Sequence, residues 1–130
     1  MAEIQFLTVE NVLRLHSLSI KRYGGSEGVR DMGLLESAVA MPMATFGGVL
    51  LHPDISAMAA AYLFHISKAH ALFDGNKRTA WAAALAFVSL NGCKVDATNE
   101  EVIEIGLAVA DGSLGKADLT ERQRTMVREP

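Results

Sequence analysis

The chain contains 130 residues, of which 50% are hydrophobic and only 6% aromatic, and it carries a formal net charge of −3 at pH 7. This length predicts one domain, residues 1–130, that buries a sufficient core without a structural metal, and the lone Cys93 excludes an internal disulfide. The negative charge argues against a nucleic-acid partner. We expect a cytoplasmic protein without a membrane span, because the chain has neither a signal-peptide pattern nor a long apolar run.

N-caps, apolar periodicity and helix stops predict an all-α chain, folded as a compact helical bundle. Suitable N-caps are Thr8, Asp31, Asp54 and either Thr98 or Asn99. The abundance of alanine favours closely packed helices. The predicted helices are Thr8 to Tyr23, Met32 to Met41 with a stop at Pro42, Asp54 to about His70, Asn76 to Asn91, Asn99 to Gly112, and a charged last helix from Asp118 or Thr120.

Between the second and third helices, Gly47-Gly48 interrupts the helical pattern. Residues 44–52 are therefore predicted to form a loop or a small extended flap. The fourth helix carries few charges and is predicted to lie in the centre of the bundle. The side chains predicted to face inward from it include Trp81, Ala84, Leu85 and Val88.

Several other residues fit ordinary structural roles. His16 and His52 are predicted at the surface or the edge of the core, and Cys93 is predicted to be a small buried hydrophobic residue. The charged residues 121–129 are predicted to form a solvated helix face.

The most informative stretch is His70 to Arg78, where one helix ends and the next begins. His70 has the type of side chain that accepts a hydroxyl proton near neutral pH. Asp74 supplies the hard oxygen ligands that suit Mg²⁺ arriving with a nucleotide. Gly75 allows a phosphate to approach the backbone closely. The short connection predicts that these side chains border one small volume.

Asn76, Lys77 and Arg78 complete the stretch. Asn76 either caps the following helix or donates to a phosphate oxygen, while Lys77 and Arg78 are positioned to neutralise phosphate charge. The dipole disfavours cations at a helix N-terminus, so a sequence with two of them there favours a bound anion. Together these residues indicate phosphate chemistry directed at a hydroxyl.

Each residue also has a simpler structural explanation when taken alone. A histidine at a helix end is commonly a cap, Asp-Gly-Asn is a common turn, and Lys-Arg in a first turn is commonly solvated surface. Only their combination in nine residues favours a catalytic site over these alternatives.

The stretch His70 to Arg78 resembles the Fic-domain signature, His-Pro-Phe-x-Asp/Glu-Gly-Asn-Gly-Arg-x-x-Arg. It is more similar to the Doc (death-on-curing) branch of that family, whose motif runs His-x-Phe-x-Asp-x-Asn-Lys-Arg. The resemblance covers most of the chain. The other stretches that resemble Doc-type sequence in order and spacing are Arg22 to Gly25, Gly28 to Asp31, Gly33 to Ala38, Pro42, and Asn76 to Ala80.

The resemblance implies a helical Fic fold with the motif loop between two central helices. It also implies a toxin of a toxin–antitoxin pair that uses ATP and Mg²⁺ to phosphorylate a threonine of elongation factor Tu and so halts translation. By position, His70 is the base, Asp74 the Mg²⁺ ligand, and Gly75 to Arg78 the nucleotide-binding residues. A flap near Thr45 to Leu50 would dock the target by strand addition.

Three positions depart from the Fic signature and leave alternative functions open. Leu72 replaces the phenylalanine that anchors the loop, Lys77 replaces the glycine of AMP-transferring members, and Trp81 replaces their second arginine. The last two changes favour phosphoryl transfer over AMP transfer. An AMP transferase and a catalytically idle binding module, the latter suggested by Leu72, are the alternatives.

The sequence also bears on inhibition. Many Fic enzymes are blocked by a helix with the pattern Ser/Thr-x-x-x-Glu-Gly/Asn. Thr125 and Glu129 have this Ser/Thr–Glu spacing, but Pro130 follows. An inhibitor supplied by a separate antitoxin, whose C-terminal segment folds over the site, is therefore expected.

Overall fold

The computed structural model describes residues 3–130, and within this range it contains six α-helices and two short antiparallel strand pairs. The predicted all-α class with a small flap is confirmed. None of the helices in this range is long and apolar enough to cross a membrane. The helices are α1 (Val9–Tyr23), α2 (Met32–Ala40), α3 (Ile55–Ala69), α4 (Asn76–Leu90), α5 (Asn99–Asp111) and α6 (Lys116–Met126).

The two strand pairs lie at different places in the bundle. Strands β1 (Thr45–Phe46) and β2 (Val49–Leu50) form the predicted flap, a hairpin whose turn is Gly47-Gly48. Strands β3 (Lys94–Val95) and β4 (Val127–Arg128) join the residues after α4 to those after α6. This second pair was not predicted from the sequence.

Four helices begin at the side-chain caps that the sequence predicts. Thr8 accepts a hydrogen bond from the backbone N–H of Asn11, Asp31 from Leu34, Asp54 from Ala57, and Thr98 from Glu101. Because each cap satisfies an N–H that the helix itself leaves free, the starts of these helices are fixed locally.

The core is built around α3, which packs against α4, α6, α2 and α5. Tyr62 of α3 and Phe87 of α4 are both fully buried, with ring centroids 5.0 Å apart. The Tyr62 hydroxyl accepts a hydrogen bond of 2.9 Å from the backbone N–H of Leu7, and burial raises the pKa of Tyr62 to about 12. Many α3 and α4 positions that face the core are alanines, which let the two helices approach closely.

Some predicted helix ends were wrong. Helix α2 ends at Ala40, one residue before the predicted Met41, and the predicted stop, Pro42, lies after it within a 3-10 turn, Met41–Met43. Helix α6 begins at Lys116, two residues before the earlier predicted start, because Gly115 supplies an extended N-cap without any side-chain bond. A start of this kind has no capping side chain to mark it in the sequence.

The predicted solvated helix face over residues 121–129 was wrong in its extent, although its charged side chains are exposed or partly exposed. Helix α6 ends at Met126 and the next residues form β4. Its inner face is buried, with Leu119 and Gln123 fully inaccessible to solvent. The charges therefore occupy only one side of α6, and its apolar side packs on α3.

Four predictions of burial were wrong. Leu85 of α4, predicted to face inward, is 41% exposed, whereas His16 and His52 are buried. Cys93 is only partly buried, with its sulfur 3.7 Å from the carbonyl oxygen of Asn91. Burial of a polar ring depends on partners distant in sequence, so local patterns do not reveal it.

Candidate active site

A cleft of about 620 Å³ opens at the junction of α3 and α4. This is within the usual size range of small-molecule sites. The connection between the two helices brings all of the predicted site residues to its wall. These residues are His70, Asp74, Gly75, Asn76, Lys77 and Arg78. Tyr23, the last residue of α1, and the following Gly24 and Gly25 also line the cleft.

His70 ends α3 in a left-handed backbone conformation, with φ of 49° and ψ of 38°. Its side chain is exposed on the cleft wall, where a substrate hydroxyl can reach it. Its carbonyl oxygen accepts hydrogen bonds from both Nε and Nη2 of Arg30, the former at 2.9 Å. The position that the sequence predicts for a base is thus accessible and held through its backbone.

Asp74 lies in the middle of the loop with an exposed carboxylate. Oδ2 accepts from the backbone N–H of Ser26 at 3.2 Å, and Oδ1 accepts from that of Gly75 at 2.8 Å. These bonds, with a smaller contribution from Arg78, lower the pKa of Asp74. The carbonyl oxygen of Asp74 accepts from Nε2 of the buried His16 at 2.8 Å.

The carboxylate of Asp74 fits a role as a Mg²⁺ ligand. Its lowered pKa keeps it ionised near neutral pH, and each oxygen retains a lone pair beyond its single backbone bond. One carboxylate is sufficient when the remaining Mg²⁺ ligands are water and the phosphates of a nucleotide.

Asn76 is the first residue of α4, and its side chain turns back into the loop. Nδ2 donates to the carbonyl oxygen of Leu72 at 3.0 Å, and Oδ1 accepts from the N–H of Leu72 at 3.1 Å. The amide thus completes both backbone bonds of a buried residue. The N-cap of α4 is Gly75 in a left-handed conformation, rather than the side chain of Asn76.

Lys77 and Arg78 lie in the first turn of α4, which has no side-chain cap and no acidic residue. Arg78 donates from Nη2 to the carbonyl oxygen of Gly24 at 2.9 Å, and its guanidinium lies 5.8 Å from the centroid of the Tyr23 ring. Lys77 is exposed. An uncapped helix N-terminus beside two cations is suited to phosphate oxygens.

Leu72 anchors the loop in the core, although the resembling motif has phenylalanine there. It is 2% exposed and forms an isolated antiparallel bridge with Val29, whereas the neighbouring Phe73 is 61% exposed on the cleft wall. Leucine thus fills the anchoring position, and backbone hydrogen bonds hold the loop on both sides of Leu72.

The residues that support the loop from outside were not among the predicted site residues. Residues 24–31, between α1 and α2, run beside it, and the N–H groups of Arg30 and Asp31 both donate to the carbonyl oxygen of Ala71. His16 reaches the loop from α1. The only sequence signal for residues 24–31 was their resemblance to Doc-type sequence, which gives no contact.

The motif and its supports lie in a region that matches a known family. A family model described as Fic/DOC family matches residues 6–88. The chain belongs to the Fic/DOC family.

Two relatives extend the match. The chain is 47% identical over 93 residues to Toxin Doc from Mycolicibacterium smegmatis, which covers 72% of this chain and 69% of the relative. It is 28% identical over 123 residues to Protein kinase doc from Escherichia phage P1, which covers 95% of this chain and 96% of the relative. The similarity to a Fic/DOC relative thus extends over nearly the whole chain.

Proposed function

We propose that this Fic/DOC chain is the toxin of a toxin–antitoxin system and a phosphotransferase that moves the γ-phosphate of ATP to a protein hydroxyl. The substrate proposed is a threonine of elongation factor Tu, whose modification would inhibit translation. The names of the two relatives, Toxin Doc and Protein kinase doc, support the class of activity. The target itself rests on the resemblance of His70 to Arg78 to the Doc branch.

The observation that carries the proposal is the composition of the cleft wall. One cleft is bordered by an accessible histidine, a carboxylate that accepts two backbone N–H bonds, and an uncapped helix N-terminus with two cations. Phosphoryl transfer requires mainly positioning and electrostatic stabilisation, and these groups supply both.

In the proposed reaction, His70 accepts the proton of the threonine hydroxyl. The threonine oxygen bonds to the γ-phosphorus, the bond from that phosphorus to the β-phosphate oxygen breaks, and ADP leaves. Lys77, Arg78 and the free N–H groups at the start of α4 stabilise phosphate charge. Mg²⁺, held by Asp74, would neutralise charge on the nucleotide phosphates.

The proposed regulatory partner is a cognate antitoxin whose C-terminal segment covers the cleft. The M. smegmatis relative is named a toxin. The resemblance to the Doc branch supports a separate antitoxin as the inhibitor.

Labelled ATP tests the proposed reaction. Purified protein is incubated with elongation factor Tu, Mg²⁺ and ATP labelled at the α or the γ phosphate, beside the His70→Ala variant. We expect label from the γ position only, and its loss in the variant. Label from the α position would instead identify AMP transfer, and label that persists in His70→Ala would remove His70 as the base. No label together with no binding of Mg²⁺-ATP would identify an idle binding module.

A further inference from the structure

The backbone conformation of His70 is uncommon for a residue other than glycine. Among residues 3–130, it is the only non-glycine residue with a positive φ. The left-handed region is unfavourable for a residue with a Cβ atom and persists only where its surroundings impose it. Contacts from outside the helix can offset this cost.

Arg30 contacts the His70 carbonyl group from outside the helix. Its guanidinium donates two hydrogen bonds, from Nε and Nη2, to the carbonyl oxygen of His70. The backbone of Arg30 is itself fixed, because its N–H donates to the carbonyl oxygen of Ala71 at 2.7 Å and the N–H of Asp31 donates to the same oxygen at 3.0 Å. The guanidinium therefore extends from a segment already paired with the loop.

The electrostatics favour the same arrangement. The carbonyl groups at the end of α3 carry the negative end of the helix dipole, and a cation there is stabilising. Two N–H donors that converge on one oxygen restrict the position of that carbonyl more than one donor does.

We propose that Arg30 is a positioning residue for His70. It holds the His70 carbonyl, keeps the backbone left-handed, and so directs the imidazole to the cleft wall. Arg30 does not line the cleft and contacts no reacting atom. The catalytic part of this inference rests on the proposed function, because it assumes that His70 is the base.

The test compares Arg30→Met, which removes every side-chain hydrogen-bond donor, with Arg30→Lys, which keeps the charge and a single donor group. Arg14→Met is the matched control, since Arg14 is an exposed arginine of α1 outside the cleft. Two measurements are made. The ¹³Cα and ¹³Cβ shifts of His70 report its backbone conformation without nucleotide, and transfer of γ-labelled phosphate gives kcat and KM for ATP.

We expect Arg30→Met to move the His70 shifts away from left-handed values and to lower kcat by about 10- to 100-fold. KM for ATP should stay within about twofold. Arg30→Lys should restore part of kcat, and added guanidinium should partly rescue Arg30→Met. Arg14→Met should match the parent protein in both measurements.

Other outcomes overturn the inference. Unchanged His70 shifts in Arg30→Met would do so, as would a parent-like kcat. If Arg30→Met does not fold, the His70 shifts and the kcat of Arg30→Lys test the inference instead. Parent-like values of both in Arg30→Lys would contradict it. If the parent protein transfers no phosphate, the proposed function fails, but the shifts still decide whether Arg30 holds His70.

Discussion

At the scale of single residues, Asn76 and Lys77 contribute to the loop between α3 and α4 in different ways. The Asn76 amide is bonded to both backbone groups of the buried Leu72, whereas Lys77 is exposed at the start of α4. One side chain therefore maintains the shape of the loop, and the other is available to a ligand. Motif residues that are adjacent in sequence need not serve the same purpose.

The variant Asn76→Ala tests this distinction. It leaves the N–H and the C=O of Leu72 without partners in a buried position, which should lower the free energy of unfolding by about 1–3 kcal/mol. Lys77→Ala, the matched control, should change it by less than about 0.5 kcal/mol. Urea unfolding measures both. Equal stability of the two variants would show that the Asn76 bonds do not hold the loop.

At the scale of elements, residues 24–31 pack against the loop between α3 and α4 and support it from outside. Gly25 shows how closely they approach, because a Cβ atom there would lie 2.6 Å from Oδ2 of Asp74. The φ of Gly25 is +119°, which also disfavours any side chain. The two carboxylate oxygens of Asp74 thus keep their places partly because residue 25 has no side chain.

We therefore expect Gly25→Ala to displace the Asp74 carboxylate and weaken the binding of Mg²⁺-ATP by about tenfold or more, since one lost charge-assisted contact is of that order. Gly92→Ala is the control, because Gly92 has a φ of +80° but no atom within 4 Å of its would-be Cβ. Isothermal titration calorimetry measures the affinity. Parent-like affinity in Gly25→Ala would contradict a metal role for Asp74 at this position.

At the scale of the whole molecule, the packing of α6 against α3 and the segment before α3 brings three basic side chains together, His65, His52 and Lys116. Nζ of Lys116 donates to Nε2 of His65 at 2.9 Å. Burial, followed by the charges of Lys116 and His52, lowers the pKa of His65 to about 4. The pKa of His52 is lowered by burial and then by Lys116. The folded state thus favours the neutral form of both rings.

This arrangement makes stability depend on pH. The pKa of His65 is about 4 in the folded protein against an ordinary value of 6.5, so the unfolded state binds more protons between those pH values. The contribution of His65 to the free energy of unfolding is fully present above pH 6.5 and is lost as the pH falls toward 4. His65→Gln keeps an acceptor for Lys116 but has no charge to gain. The drop in urea midpoint from pH 7 to pH 4.5 should therefore be smaller in that variant. An equal drop would exclude His65 as a source.

The sequence by itself determined the local features of this protein. Thr8, Asp31, Asp54 and Thr98 begin helices because a cap and the N–H it satisfies lie within three residues of each other. The cleft could be located for a similar reason, since a connection as short as residues 70–75 brings the end of one helix and the start of the next to the same space.

Only the tertiary structure decided which distant groups hold the cleft in shape. His16 bonds to Asp74 across 58 positions, Arg30 bonds to His70 across 40, and β4 pairs with β3 from the far end of the chain. Leu85 is exposed despite its apolar character, because burial depends on where other helices pack. Such contacts follow no periodicity and carry no local propensity, so they become visible only when the helices have assembled.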